Sequence, residues 1–186
     1  GAAGLAAACD AAARGATVAL IEGGLLGGNY LNFGCIPSKA LLRTSRLLAE
    51  MHTAERFGAP APKDVVVDFA TAMARVRRIR ARLSRVDSAV RLTALGIDVF
   101  FGSARFTGAD SVDVAGVRLQ FRRALIATGS RSVLPTIPGL ADAGFLTNET
   151  VFDLTAQPTS LLVIGGGPLG CELAQAFCRL GTRTVI

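Results

Sequence analysis

Three observations predict a doubly wound α/β fold with a helical hairpin and a small antiparallel β excursion. Glycine turns open helical stretches twice, at Gly1–Gly4 and at Gly165–Gly170. Each turn lies beside a short apolar run of strand length, Thr17–Glu22 in the first case and Leu161–Ile164 in the second. The first run ends in a carboxylate, Glu22, eighteen residues after Gly4. Glycines, helix, strand and terminal acid, in that order, make a dinucleotide-binding unit.

The 186 residues are 51% hydrophobic and include 21 glycines, enough for one or two globular domains. No apolar run approaches the roughly 20 residues needed to span a bilayer, and no signal peptide opens the chain, so no membrane partner is expected. The chain starts at a glycine inside a motif and reads as a piece of a longer protein, cut at both ends. Four cysteines are too few for a disulfide scaffold and have no zinc-site spacing, so a reducing, cytoplasmic setting without a metal is expected.

The net charge of +6 comes from one segment. Between residues 70 and 95 there are seven arginines and one acid, Asp87, and seven minus one is six. Val76, Ile79, Leu83, Val86 and Val90 recur there at helical spacing, predicting one amphipathic helix with a solvated arginine face. No aromatic residues interleave for base stacking, so nucleic-acid binding is not expected.

In chain order, Leu5–Gly15 is an alanine-rich helix ending at glycine, with Cys9 as a structural residue. Its N-terminus, with Gly1 and Gly4 as the last two glycines of a Gly-x-Gly-x-x-Gly turn, suits a pyrophosphate. Gly4 allows close helix–strand packing. Glu22 suits ribose hydroxyls. The stretch Gly27–Leu42 is a glycine-loosened loop, Gly24 and Gly27-Gly28-Asn29-Tyr30 leading to Gly34-Cys35-Ile36-Pro37-Ser38-Lys39, that runs into a helix. Pro37 suits the first turn. Cys35 falls just before the helix N-terminus, where the free N–H groups and the dipole favour negative charge, with Lys39 adding positive charge.

That helix runs toward Met51, and the Gly58–Lys63 breaker sends the chain back into the basic helix, giving a hairpin over residues 37–95. His52, the only histidine, reads as a surface residue. Gly96–Phe106 begins a run of strands, and Ser111–Val114 and Val117–Phe121 alternate around Ala115-Gly116 as a β-hairpin. Arg123–Ser130, with Ala127, Thr128 and Gly129 at its small-residue end, follows in that run of strands. Pro135, Pro138 and Gly139 mark an exit from the first domain. Gly165, Gly167 and Gly170 then complete a second, full fingerprint, with the helix of Cys171–Phe177 behind it. Cys171 and Cys178 are expected to pack within that helix.

The segment Gly27–Lys39 resembles the redox-active segment of the pyridine nucleotide–disulfide oxidoreductases, the family of dihydrolipoamide dehydrogenase, glutathione reductase and mercuric reductase. The family pattern is Gly-Gly-Thr-Cys-x-Asn-x-Gly-Cys-x-Pro-Ser-Lys. Gly27, Gly28, Asn32, Gly34, Cys35, Pro37, Ser38 and Lys39 match it, while Tyr30 stands where the first cysteine belongs. Phe106-Thr107-Gly108, Asn148-Glu149-Thr150 and Gly170–Phe177 are similar to the mercuric-reductase-like branch.

The resemblance implies Rossmann-like domains: an FAD-binding domain over residues 1–150 and the start of an NAD(P)-binding domain over 151–186. It implies FAD held by Gly1, Gly4, Glu22, Gly24, Gly28, Asn29, Lys39, Ala104, Ala127, Thr128 and Gly129. NADPH or NADH would bind at Gly165, Gly167 and Gly170. Cys35 would face the flavin, and Lys39 would pair with Glu172 beside it. Hydride would pass from nicotinamide to flavin and on to a small-molecule electron acceptor, with a homodimer formed through a C-terminal domain.

Because Tyr30 cannot close a disulfide with Cys35, an FAD-dependent NAD(P)H oxidoreductase with an impaired disulfide relay is expected. The alternatives are a single-cysteine enzyme cycling Cys35 through sulfenic acid and an inactive FAD-binding fragment.

Overall fold

The computed structural model describes residues 1–186. Two compact units divide it, residues 1–32 with 81–131 and residues 33–80 with 132–186. No helix is long and apolar enough to cross a membrane.

In the first unit, α1 (Ala2–Ala13) is the alanine-rich stretch, and Gly15 at φ +82° follows its end. Strand β1 (Val18–Glu22) pairs in parallel with β2 (Ile97–Phe101), Val18 opposite Ile97 and Glu22 opposite Phe101. The short helices α2 (Gly28–Asn32) and α5 (Ala89–Ala94) belong to this unit. Leu5 and Ala8 of α1, Leu92 of α5 and Ile97 of β2 form its core.

Strand β1 is only half-buried, with Ala19 exposed, because its one sheet partner is β2. A separate sheet holds β3 (Ala104–Phe106), β4 (Ser111–Val114) and β5 (Val117–Gln120), all antiparallel. Ala115 and Gly116 join β4 to β5, both at positive φ (51° and 84°), as a two-residue hairpin turn of this hand requires.

The second unit is built on α3 (Cys35–His52) and α4 (Phe69–Ser84), with a 3₁₀ turn at Ala54–Phe57 between them. Later come α6 (Leu140–Ala143), a 3₁₀ turn at Val151–Asp153, β6 (Ser160–Leu162), α7 (Pro168–Arg179) and β7 (Arg183–Val185). Strands β6 and β7 are parallel with α7 between them in sequence, a βαβ unit. The core joins Leu41 of α3, Met73 and Val76 of α4, Phe152, and Phe177 of α7. Phe69 and Phe177 meet with ring centroids 5.8 Å apart. Arg75 Nη1 donates to the Ala40 carbonyl at 2.9 Å, fastening α4 to α3.

Three expectations are corrected here. The basic helix is not continuous to residue 95. It stops at Ser84, and the Ser88 hydroxyl accepts the Arg91 N–H at 3.3 Å to start α5 as a separate helix. The break takes Val86 and Val90 off the apolar face, and they are exposed. Residues 123–130 form no strand, and Leu125 and Ile126 are exposed, because no neighbouring strand accepts a ladder from them. Cys171 and Cys178 are exposed rather than packed. The buried face of α7 carries Ala174 and Phe177, and a seven-residue spacing puts the two thiols together on another side.

Candidate functional site

The first unit gathers most of the residues expected to hold FAD around the start of α1. Gly1 caps α1, and the first helical bond runs from the Leu5 N–H to the Gly1 carbonyl, which leaves the preceding N–H groups without helical partners. A Cβ on Gly28 would lie 2.6 Å from the Gly1 Cα, and Gly28 sits at φ +57°. Glycine is required at that contact on both counts. Glu22 ends β1 beside it, its Oε1 accepting the Gly24 N–H at 3.0 Å.

Asn29 Nδ2 donates to the Ser130 carbonyl at 2.6 Å, bringing the Ala127–Ser130 segment to the same turn. Thr128 and Gly129 lie exposed in that segment. Ala104 opens β3 two residues after Gly102, whose N–H donates to the Glu22 carbonyl at 3.0 Å. Gly4 is less constrained than its motif implies. A Cβ there would make ordinary contacts, 3.6 Å to Ala127 and 3.7 Å to Leu20. A helix N-terminus with unpaired N–H groups, a side-chain-free approach at Gly1 and Gly28, and a carboxylate at the strand end fit an adenine dinucleotide.

The second unit holds the thiol and the second glycine turn. Gly34 caps α3, Cys35 is the first helical residue and is exposed, and Pro37 occupies the first turn. One turn on, Lys39 Nζ donates to Glu172 Oε1 at 2.6 Å. Ser38 Oγ donates to Glu172 Oε2, also at 2.6 Å, so each carboxylate oxygen has its own donor. These bonds exist because α3 packs more closely on α7 than on its expected partner α4.

The Glu172 hydrogen bond holds the Lys39 ammonium pKa above its usual value, with partial desolvation opposing and the Glu172 and Cys35 charges adding to it. Burial works against ionising Glu172, but the bonds from Lys39 and Ser38, with the Lys39 charge, outweigh it and hold the carboxyl below its usual range. Cys171 Sγ donates to the Gly166 carbonyl at 3.3 Å, at the base of the glycine turn. A Cβ on Gly170 would collide with the Gly165 carbonyl oxygen, and Gly165 takes φ +118°. Gly167 caps α7, with open space around it. This turn fits a second dinucleotide phosphate by the same chemistry as the first.

Sequence reasoning missed two side chains. Nothing in the spacing of Ser38 points to residue 172, 134 positions away. Asn148 Nδ2 reaches the Phe33 carbonyl at 3.3 Å while its Oδ1 accepts the Ser132 hydroxyl at 2.7 Å, bracing the residue before Gly34. Asn32, part of the matched pattern, is buried and donates to the Leu26 and Gly28 carbonyls at 3.0 Å, bracing the turn itself.

The family description "Pyridine nucleotide-disulphide oxidoreductase" matches residues 1–186. The chain belongs to that family. Its members are flavoproteins that use FAD and NAD(P)H. The chain is 34% identical over 186 residues to a mercuric reductase of Lysinibacillus sphaericus, covering all of this chain and 34% of that protein. It is 35% identical over 193 residues to a dihydrolipoyl dehydrogenase of Bacillus subtilis, covering 42% of it. Among solved structures it resembles the Cu(II) complex of the HOCl-induced flavoprotein disulfide reductase RclA from Escherichia coli. There the identity is 29%, the TM-score is 0.82, and the match covers 99% of this chain and 39% of that one. The chain thus spans about a third to two-fifths of the length of these relatives. Rossmann-like α/β architecture follows from the family and the structural match together.

Proposed function

We propose that the whole protein is an FAD-dependent NAD(P)H oxidoreductase in which Tyr30 interrupts the disulfide relay. Residues 1–150 act as the FAD-binding domain and 151–186 as the beginning of the NAD(P)-binding domain. This functional division cuts across the two packed units. The observation that carries the reading is Tyr30 in the place of the first redox cysteine, with all four cysteines free. Support for the class comes from the family match and from relatives that are mercuric reductases and dihydrolipoyl dehydrogenases.

FAD, when bound, accepts a hydride from the nicotinamide and passes electrons on. The chain's own residues do the rest. The glycine turns at Gly1 and Gly165–Gly170 offer backbone N–H groups to the phosphates, and Glu22 accepts from a ribose. Lys39 keeps a proton and a positive charge on α3, held there by Glu172. Cys35 offers one exposed thiol with no neighbouring thiol in the pattern to bridge, so electrons leave for a small-molecule acceptor without a redox disulfide. The subunits pair through a domain C-terminal to residue 186.

Anaerobic titration of the oxidised whole protein with NADPH or NADH, following the flavin spectrum, tests this. The expected result is uptake of one reducing equivalent pair per flavin, with bleaching from the first addition. Uptake of two pairs through a long-wavelength thiolate–flavin band overturns it, since Cys35 would then have another partner. A peroxide-dependent NAD(P)H oxidation lost in Cys35→Ser would instead assign sulfenic acid cycling. Absence of bound flavin would show a protein without this activity.

A further inference from the structure

We propose that Ser38 is a positioning residue that locks the Glu172 carboxylate in the plane from which it holds the Lys39 ammonium. The Ser38 side chain is buried, with 1% of the residue exposed, so water does not compete for its hydroxyl. That hydroxyl has one proton and two acceptors in reach: the Cys35 carbonyl at 3.3 Å and Glu172 Oε2 at 2.6 Å. The nearer acceptor is also the charged one, and charge-assisted bonds are the shorter and stronger.

Lys39 cannot impose geometry on the pair. Its side chain is 58% exposed, and an ammonium on a four-carbon stem is a rotatable point charge. A carboxylate held by that partner alone would swivel about its last torsion, which is broad and only two-fold. The second donor removes that freedom. Ser38 and Lys39 are adjacent on the first turns of α3, and Glu172 lies near the start of α7, so one carboxylate also sets the register between the thiol-bearing helix and the second glycine turn. The catalytic meaning of this lock rests on the proposed function. The lock itself does not.

Competitive acylation of lysines in the whole protein, read by mass spectrometry, tests it without reference to activity. Residues 1–186 contain two lysines, Lys39 and Lys63, and exposed Lys63 serves as the internal reference. Ser38→Ala is expected to raise the Lys39-to-Lys63 labelling ratio about threefold, the size of a typical hydrogen-bond loss expressed as a lower ammonium pKa. Glu172→Gln is expected to raise it further, and the double variant to match Glu172→Gln alone, because Ser38 acts only through that carboxylate. An unchanged ratio in Ser38→Ala overturns the proposal. So does an equal rise on adding Ser38→Ala to Glu172→Gln, which would mark a general packing role. Flavin reduction by NADPH and by NADH is followed in the same samples. A wild-type flavin that neither nucleotide reduces would sink the proposed function and leave the labelling result standing.

Discussion

Glu172 accepts hydrogen bonds from Lys39 and Ser38, and its titration gives a pH dependence with a definite sign. Its folded pKa lies below the ordinary 4.5, so the stabilisation it brings is present above that value and lost as pH falls through the lower folded one. Lys39 is shifted up from 10.5, so its share is present below that value and lost as pH rises past the folded one. Between these limits the pair is constant. Urea midpoints measured from neutral pH down to about 3 should therefore show wild type above Glu172→Gln, the gap narrowing only below the ordinary carboxylate range. A gap that instead opened on acidification would mean that burial dominates and Glu172 is held protonated. At the same scale, Tyr30→Cys restores the second sulfur of the family pattern. It should add a second pair of electrons to the NADPH titration and bring up a thiolate–flavin band. Uptake unchanged from wild type would show that Tyr30 is not what interrupts the relay.

Among elements, the second glycine turn is the most sharply specified. Gly170→Ala drives a Cβ into the Gly165 carbonyl, which must move, and Gly165 has no easy alternative at φ +118°. Overpacking of this kind costs about 1–3 kcal/mol, and here it should also weaken NAD(P)H binding by at least tenfold in calorimetry. Gly4→Ala is the control: its Cβ finds ordinary contacts, and it should bind and melt close to wild type. Equal losses in the two variants would show that the motif, not the local space, sets the tolerance.

The contrast shows what could be read from sequence. Alternation around Ala115-Gly116 fixed a hairpin because turn and pattern agree locally. The alanine run and Gly15 fixed α1 and its end for the same reason. Residues 123–130 have strand composition, yet a strand exists only with a partner, and no local signal reports one. The break at residues 85–88 was marked by Ser88, but the helical spacing of Val86 and Val90 concealed it. Lys39 and Glu172 carry family positions, whereas the Ser38 hydroxyl meets Glu172 only through the α3–α7 packing.

At the scale of the molecule, each unit has its own core, and the two cores share no residue. Phe177, fully buried, contacts the core where α3, α4 and α7 meet, so Phe177→Ala removes a large side chain from a site with aromatic and aliphatic neighbours. Such truncations cost about 3–5 kcal/mol. Leu92, equally buried, plays the corresponding part between α1 and β2, and Leu92→Ala should cost about 2–5 kcal/mol. If the cores are independent cooperative bodies, each loss stays local. Hydrogen exchange of the whole protein should then show Phe177→Ala accelerating amides in α3, α4 and α7 while α1, β1 and β2 keep their protection, with Leu92→Ala doing the reverse. Equal acceleration everywhere in both variants would mean that the two cores open together.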